Sequence, residues 1–138
     1  VDVVIGHANT AKENIKSLCD KMSNVKLHCK IENMAELMEN ADLAIGAGGT
    51  TTWERIFLGL PSCVIAVAAN QQECAHALAK MGYQFFWGTP GNLEIHEIMN
   101  ELDFVFSQKH LLMEMSKKCL DLIKGNGTNL VRDKLLGG

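Results

Sequence analysis

A glycine- and threonine-rich segment, Gly46-Ala47-Gly48-Gly49-Thr50-Thr51-Thr52, has the residue types and spacing best suited to ligand binding. Glycines let backbone amides approach a ligand closely, and the segment leads into a predicted helix, whose unpaired N–H groups favour an anion. It has neither the Gly-Lys-Ser/Thr of a Walker loop nor the register of the G-x-G-x-x-G dinucleotide fingerprint. The pattern indicates a phosphate or diphosphate site, the alternative being a tight turn with a threonine cap.

Four polar side chains lie near the starts of predicted helices. Glu54, three residues after Thr51, either completes a capping box with the Thr51 amide or accepts hydrogen bonds from the paired hydroxyls of a sugar. Asn70, Gln71 and Gln72 carry amide groups, which both donate to and accept from carbohydrate hydroxyls. The alternative is that Asn70 caps its helix and the glutamines face solvent.

The first loop adds two candidate residues near a phosphate, His7 and Asn9. His7 has no carboxylate within sequence reach, so a catalytic role is not assigned to it. The other histidines show no metal-ligand spacing, and no metal site is predicted. They are interpreted as structural or surface residues: His28, His76, His96 and His110.

Strand and helix patterns alternate along the chain. Short apolar runs predict strands at residues 1–5, 25–29, 43–46, 63–67 and 84–87, each but the last followed by a helical pattern. Caps are predicted at Thr10 (a Thr10-x-x-Glu13 box), Asn33 and Asn70, and helices alone follow residue 90. The spacing predicts an α/β fold: a doubly wound parallel sheet in three α/β/α layers with a helical C-terminal tail. Loops after the strands then carry the site.

Composition excludes several classes of protein. The 138 residues, 47% of them hydrophobic, fit a single domain, since domains typically contain about 100 to 150 residues. The net charge of −3 without a basic run predicts neither a nucleic-acid partner nor binding to an anionic membrane. No uninterrupted apolar stretch of about 20 residues predicts a transmembrane segment. The chain opens at Val1 in an apolar run with no initiator Met and no signal peptide, which suggests a piece excised from a longer protein.

The five cysteines are odd in number and include no C-x-x-C pair. They lie within apolar segments, as buried thiols do. We therefore expect reduced core thiols in a cytoplasmic protein.

Residues 31–82 resemble a known family. The resemblance rests on four motifs: E-N-M-A-E-L-M at 32–38, A-D-L-A-I-G-A-G-G-T-T-T-W-E-R at 41–55, G-L-P at 59–61 and Asn-Gln at 70–71. They resemble the C-terminal half of the UDP-sugar hydrolase of pseudaminic acid biosynthesis and the related spore-coat polysaccharide proteins. These are similar in turn to the C-terminal domain of the peptidoglycan N-acetylglucosaminyltransferase, a GT-B enzyme with a Rossmann-like fold.

The resemblance implies a UDP-sugar site and no cofactor. It implies that the uracil contacts backbone near residues 29–33, at Ile31, that the ribose binds Glu54, and that Asn70, Gln71 and Gln72 lie near the sugar. The residues implied to bind the diphosphate are Gly48, Gly49, Thr50, Thr51 and Thr52.

The resemblance also implies that catalysis requires a second domain. In the hydrolase the catalytic histidine belongs to the N-terminal domain, so no catalytic residue is assigned to this chain, and its expected partners are a UDP-sugar and that domain. The favoured function is UDP-sugar binding for hydrolysis in surface polysaccharide or nonulosonic acid biosynthesis. The alternatives are the donor-binding domain of a GT-B glycosyltransferase and a non-catalytic binding subunit.

Overall fold

The computed structural model describes residues 1–125 and 127–136. Five strands are found where the apolar runs predict them, each within about two residues of the predicted bounds. They are β1 (Asp2–Val4), β2 (Lys26–His28), β3 (Ala44–Ala47), β4 (Ser62–Ile65) and β5 (Phe85–Gly88). The helices are α1 (Lys12–Cys19), α2 (Met34–Glu39), α3 (Thr51–Phe57), α4 (Ala69–Lys80), α5 (Ile95–Ser107), α6 (Lys109–Leu122) and α7 (Gly127–Leu135), with a 3-10 turn at Pro90–Asn92.

The chain divides into two compact units, 1–40 and 41–138. In the first unit, β1 and β2 pair in parallel, with Val3 opposite Leu27. The Ile5 amide extends this ladder by donating to the His28 carbonyl at 3.0 Å. The loops after β1 and β2 therefore leave the same edge of a two-stranded sheet.

The second unit has a three-stranded parallel sheet in the order β3-β4-β5. The central strand β4 is the most apolar one, and Ser62, Cys63 and Val64 are fully buried in it. A strand covered on both faces reads as a continuous apolar run rather than an alternating one. The predicted strand at residues 63–67 and its parallel pairing are confirmed.

Helices cover both faces of this sheet. On one face, α3, α4 and α6 meet in a core formed by Ile56, Leu78, Met115 and Cys119. Phe85 of β5 packs against that core, whereas Phe86, which points the other way, lines a cavity with α5 residues. The unit therefore has three layers, α/β/α, as the sequence pattern predicts.

Helix ends show where local sequence patterns succeed and fail. The predicted Asn33 cap is confirmed, since its side chain accepts from the Glu36 amide at 3.3 Å. The predicted Thr10 cap is wrong, because Oδ1 of Asn9 accepts from the Ala11 amide at 2.8 Å and α1 begins one residue later. An asparagine side chain that bonds the backbone two residues on supplies the turn itself.

Two glycines follow the ends of helices. Gly59 and Gly82 follow α3 and α4 with φ of +66° and +80°, a left-handed conformation that costs other residues about 1–2 kcal/mol. Gly59 is doubly constrained, since a β carbon there would lie 2.6 Å from Cγ of Leu120 on α6.

All five cysteines are free thiols. Cys19, Cys63 and Cys119 are buried as predicted, but Cys29 is only half-buried and Cys74 is exposed. Its position in α4 faces away from the buried Ala75 and Leu78, so the prediction of a core thiol is wrong there. Among the described residues, no helix is long and apolar enough to cross a membrane.

Candidate functional site

The glycine- and threonine-rich loop leaves the carboxyl end of β3 with a row of free donors. The Gly48 amide still bonds to the Ile65 carbonyl of β4 at 3.2 Å. The next three amides, those of Gly49, Thr50 and Thr51, make no hydrogen bond to any described residue. Successive free N–H groups in a turn form a concavity that suits an anion.

Gly48 is fixed by close packing. A β carbon at Gly48 would lie 3.2 Å from Cγ1 of Val64, 3.5 Å from Cβ of Gln71 and 3.6 Å from Cβ of Ala75. A side chain at Gly48 would therefore push the loop away from β4 and from the first turns of α4. The glycine keeps the free amides next to the start of α4.

Gln71 is held beside the loop. Its Oε1 accepts from the Val67 amide at 3.0 Å, and its Nε2 lies 3.8 Å from where a β carbon of Gly49 would be. The structure thus brings one residue of the predicted sugar-proximal group next to the predicted diphosphate loop. Gln71 is half-buried, so the alternative of a fully solvent-exposed glutamine is wrong for it.

Asn70 and Gln72 have different surroundings from Gln71. The predicted Asn70 cap is wrong, because α4 begins at Ala69 and the extended Ala68 occupies the capping position. The Gln71 side chain, by bonding Val67 just before the helix, supplies the local contact instead. Both Asn70 and Gln72 are exposed on the first turn of α4, with side-chain amides that bond to no described residue.

Glu54 is exposed, and its carboxylate makes no hydrogen bond within residues 1–125 or 127–136. The capping-box alternative is wrong, since the chain closes the first turn of α3 through its backbone. The Thr52 amide bonds to the Gly49 carbonyl and the Trp53 amide to the Thr50 carbonyl, each at 3.0 Å. The carboxylate of Glu54 is therefore free to accept hydrogen bonds from hydroxyls.

The three threonines of the loop differ in exposure. Thr50 is exposed and Thr51 is half-buried, whereas Thr52 is 4% exposed. The Thr52 hydroxyl accepts from Nη2 of Arg55 at 3.0 Å. Its side chain supports the loop from inside, so only Thr50 and Thr51 present hydroxyls near the free amides.

Arg55 is a residue of the site that sequence reasoning missed. Its side chain is buried, and Nη2 also donates to the Ala47 carbonyl at 2.9 Å. A β carbon at Gly46 would lie 2.7 Å from Nη1 of Arg55, so Gly46 makes room for the guanidinium. Burial lowers the pKa of Arg55, and the neighbouring Glu54 charge opposes that shift.

A signal for Arg55 was present in the sequence. Thr52, Arg55 and Ile56 lie on one face of α3, and all three are buried. This helical spacing is only a weak signal, because a charged residue is expected at the surface and the space that Gly46 leaves is visible only in the packed structure.

The first unit holds the remaining candidates. His7 and Asn9 are exposed in the loop after β1, and Ile31 is half-buried in the loop after β2. Asn9 uses its side-chain oxygen to hold the start of α1. The roles of His7 and Ile31 stay predictions. Within the described residues, no group of three or more His, Cys, Asp or Glu side chains could hold a metal ion.

A parallel α/β/α fold of the Rossmann-like kind, with a loop of free backbone amides after a strand and free polar side chains beside it, is typical of the glycosyltransferase-like, nucleotide-sugar-binding domains of GT-B architecture. The comparison of sequences agrees with this class. The chain belongs to the glycosyltransferase family 28 C-terminal domain family, whose model matches residues 1–129.

Two relatives are similar to this chain. The spore coat polysaccharide biosynthesis protein SpsG of Bacillus subtilis (strain 168) is 27% identical over 124 residues, which cover 90% of this chain and 37% of that protein. The uncharacterized protein MJ1062 of Methanocaldococcus jannaschii is 35% identical over 77 residues, which cover 54% of this chain and 16% of that protein. The chain thus spans well under half the length of these relatives. The predicted GT-B C-terminal domain of the spore-coat polysaccharide type is confirmed.

Proposed function

We propose that this domain binds the UDP part of a UDP-sugar, as the donor-binding domain of a nucleotide-sugar hydrolase in surface polysaccharide or nonulosonic acid biosynthesis. One observation carries the proposal: three consecutive free amides, at Gly49, Thr50 and Thr51, lie one helical turn from the free carboxylate of Glu54. The amides hold the diphosphate, and Glu54 accepts hydrogen bonds from the ribose hydroxyls.

The dimensions of the nucleotide support this assignment. Glu54 follows Thr51 by three helical residues, which is about 4.5 Å along the axis. A ribose attached to a diphosphate at the loop therefore lies within reach of the carboxylate. The exposed amide groups of Asn70 and Gln72 lie on the first turn of α4, whose Gln71 side chain approaches Gly49, and they extend the polar surface that the sugar would meet.

We favour hydrolysis over transfer because the motif at residues 41–55 resembles that of the UDP-sugar hydrolase of pseudaminic acid biosynthesis. We propose that the catalytic group and the other wall of the cleft come from an N-terminal domain of the same protein. The family model favours a second candidate, the donor-binding domain of a glycosyltransferase, in which an acceptor hydroxyl takes the place of water.

Titration of the 15N-labelled chain with UDP, followed by NMR, tests the site. The amides of Gly48, Gly49, Thr50 and Thr51 should shift most, because the diphosphate binds there. Uridine, which lacks phosphates, serves as the control ligand and should leave those four amides nearly unchanged. Shifts confined to other residues would contradict the assignment.

The reaction is tested on the full-length protein. Incubation with a UDP-sugar in 18O-labelled water should release UDP and a sugar that carries the label, without any acceptor. Release of UDP only after an acceptor alcohol is added would favour the glycosyltransferase. Binding of the UDP-sugar without either product would favour the non-catalytic subunit.

A further inference from the structure

The Arg55 guanidinium is a positive charge without a negative partner. Its side chain is 3% exposed, and no carboxylate of the described residues lies within ion-pair distance of it. Glu54 is its chain neighbour, but Glu54 is exposed and forms no ion pair with it. A buried charge is costly unless something compensates it.

The hydrogen bonds of the guanidinium are also incomplete. Nη2 donates to Ala47 and Thr52, but Nε is buried and has no partner among the described residues. Arginine offers five N–H donors, and its buried donors are normally satisfied. The two bonds that do form join Arg55 to Ala47, just before the free amides, and to Thr52, just after them.

We propose that Arg55 is a positioning residue for anion binding: it ties Ala47 to Thr52 so that the amides of Gly49, Thr50 and Thr51 face outward, and its buried charge stabilises the diphosphate that they bind. This inference rests on the proposed function and deepens it. The bound anion adds negative charge near Arg55, where the described residues provide the exposed Glu54 carboxylate but no ion pair.

The low dielectric of the interior makes this compensation effective. Solvent screens a buried charge less than an exposed one. The buried guanidinium therefore attracts an anion at the loop more strongly than an exposed side chain of the same charge would at the same distance. Gly46 preserves the arrangement, because a β carbon there would displace Nη1. The inference therefore predicts a preference for phosphates that is separate from recognition of the nucleoside.

Isothermal titration of the chain with UDP, uridine and inorganic pyrophosphate tests the inference. Arg55→Gln should weaken UDP and pyrophosphate at least tenfold and change uridine less than twofold. Arg55→Lys, which keeps the charge but not the paired bonds, should fall between this variant and the wild type. Arg132→Gln, at an exposed arginine of α7, changes net charge equally and should leave all three affinities unchanged.

Thr52→Val provides a milder variant in case Arg55→Gln does not fold. It removes one acceptor of Nη2 and should weaken UDP about threefold or more, again without an effect on uridine. Circular dichroism and unfolding without ligand establish that each variant is folded.

Two results would overturn the inference. Equal losses for UDP and uridine in a folded Arg55→Gln or Thr52→Val variant would leave Arg55 a structural residue only, with the proposed function intact. A wild-type chain that binds neither UDP nor pyrophosphate would contradict the proposed function first and the role of Arg55 with it.

Discussion

Nε2 of Gln71 lies 3.8 Å from the position that a β carbon of Gly49 would occupy. Gln71 belongs to α4, and Gly49 to the loop between β3 and α3, so two loops at the carboxyl edge of the parallel sheet meet here. The residues are 22 positions apart in sequence, and no local pattern links them. In the function that we propose, this proximity would let one surface contact both the diphosphate and the attached sugar.

A negative charge at Gln71 should oppose the anion. Gln71→Glu keeps an oxygen to accept from the Val67 amide, so the fold should persist. UDP affinity should fall about tenfold, since two charges about 4 Å apart in water repel by roughly 1 kcal/mol and the diphosphate carries more than one. Titration calorimetry measures the change. Gln72→Glu, at the exposed neighbouring residue, is the matched control and should lower UDP affinity much less. Equal losses in the two variants would contradict the placement of Gln71 beside the anion.

Removal of the Glu54 carboxylate should separate ribose binding from phosphate binding. Glu54→Ala should weaken UDP about tenfold, because hydrogen bonds to charged groups contribute about 1.5–3 kcal/mol. Pyrophosphate affinity should stay the same or rise, as a repelling charge is removed. Competition titrations with the two ligands measure the split. Glu114→Ala, at an exposed glutamate of α6, is the control. A parallel loss of UDP and pyrophosphate would show that Glu54 shapes the loop instead.

A methyl group at Gly59 should destabilise the fold. Gly59→Ala combines left-handed strain at φ +66° with a contact of 2.6 Å to Leu120, and we expect a loss of about 3 kcal/mol in the free energy of unfolding. Gly88→Ala, at φ +99° with no atom within 4 Å, carries strain alone and should cost about half as much. Urea denaturation measures both.

The clash at Gly59 has its own test. Leu120→Ala in the Gly59→Ala background should recover part of the loss, since it removes the atoms that the methyl group meets. A double variant no more stable than Gly59→Ala would show that backbone strain alone accounts for the effect.

Buried thiols should make stability fall in alkali. Burial raises the pKa of Cys63 to about 12 and that of Cys119 to about 11, from 9.0. The unfolded chain loses these protons above pH 9 while the folded chain keeps them, so each thiol lowers stability by up to about 1.4 kcal/mol per pH unit, until pH reaches its folded pKa. Urea denaturation at pH 7 and 10 measures the loss.

The control for this prediction is Cys119→Ala. The substitution lowers the free energy of unfolding at pH 7, and this loss should be about 1 kcal/mol smaller at pH 10, because the variant has one thiol fewer to ionise on unfolding. A cost that is the same at both values of pH would contradict the prediction. Cys74→Ala, which removes an exposed thiol, should show no such change.

The sequence predicts the strands because each is a short apolar run bounded by turn residues, and β4 is the clearest example. Helix starts are predicted less well. At Thr10, Thr51 and Asn70 a capping pattern is present, but backbone turns or a neighbouring Asn9 or Gln71 side chain do the bonding instead. Several side chains near a helix start compete for the same amides, and tertiary contacts decide between them.

The site is predicted in part for a similar reason. The free amides at Gly49 and Thr50 follow from a glycine-rich loop after a parallel strand, which local sequence reveals. The burial of Arg55 and the inward turn of Thr52 depend on the space left by Gly46, nine residues before Arg55. Charged residues are expected at the surface, so only the packed structure reveals this one inside.

The contact between Gly46 and Arg55 has a consequence for protein engineering. Transplanting residues 48–54 alone into another parallel α/β scaffold would carry the free amides but lose what holds them in place. A functional graft needs a strand with glycine as its penultimate residue and a helix whose fifth residue is arginine, moved together as one module. The smallest portable form of this binding loop is therefore residues 46–55.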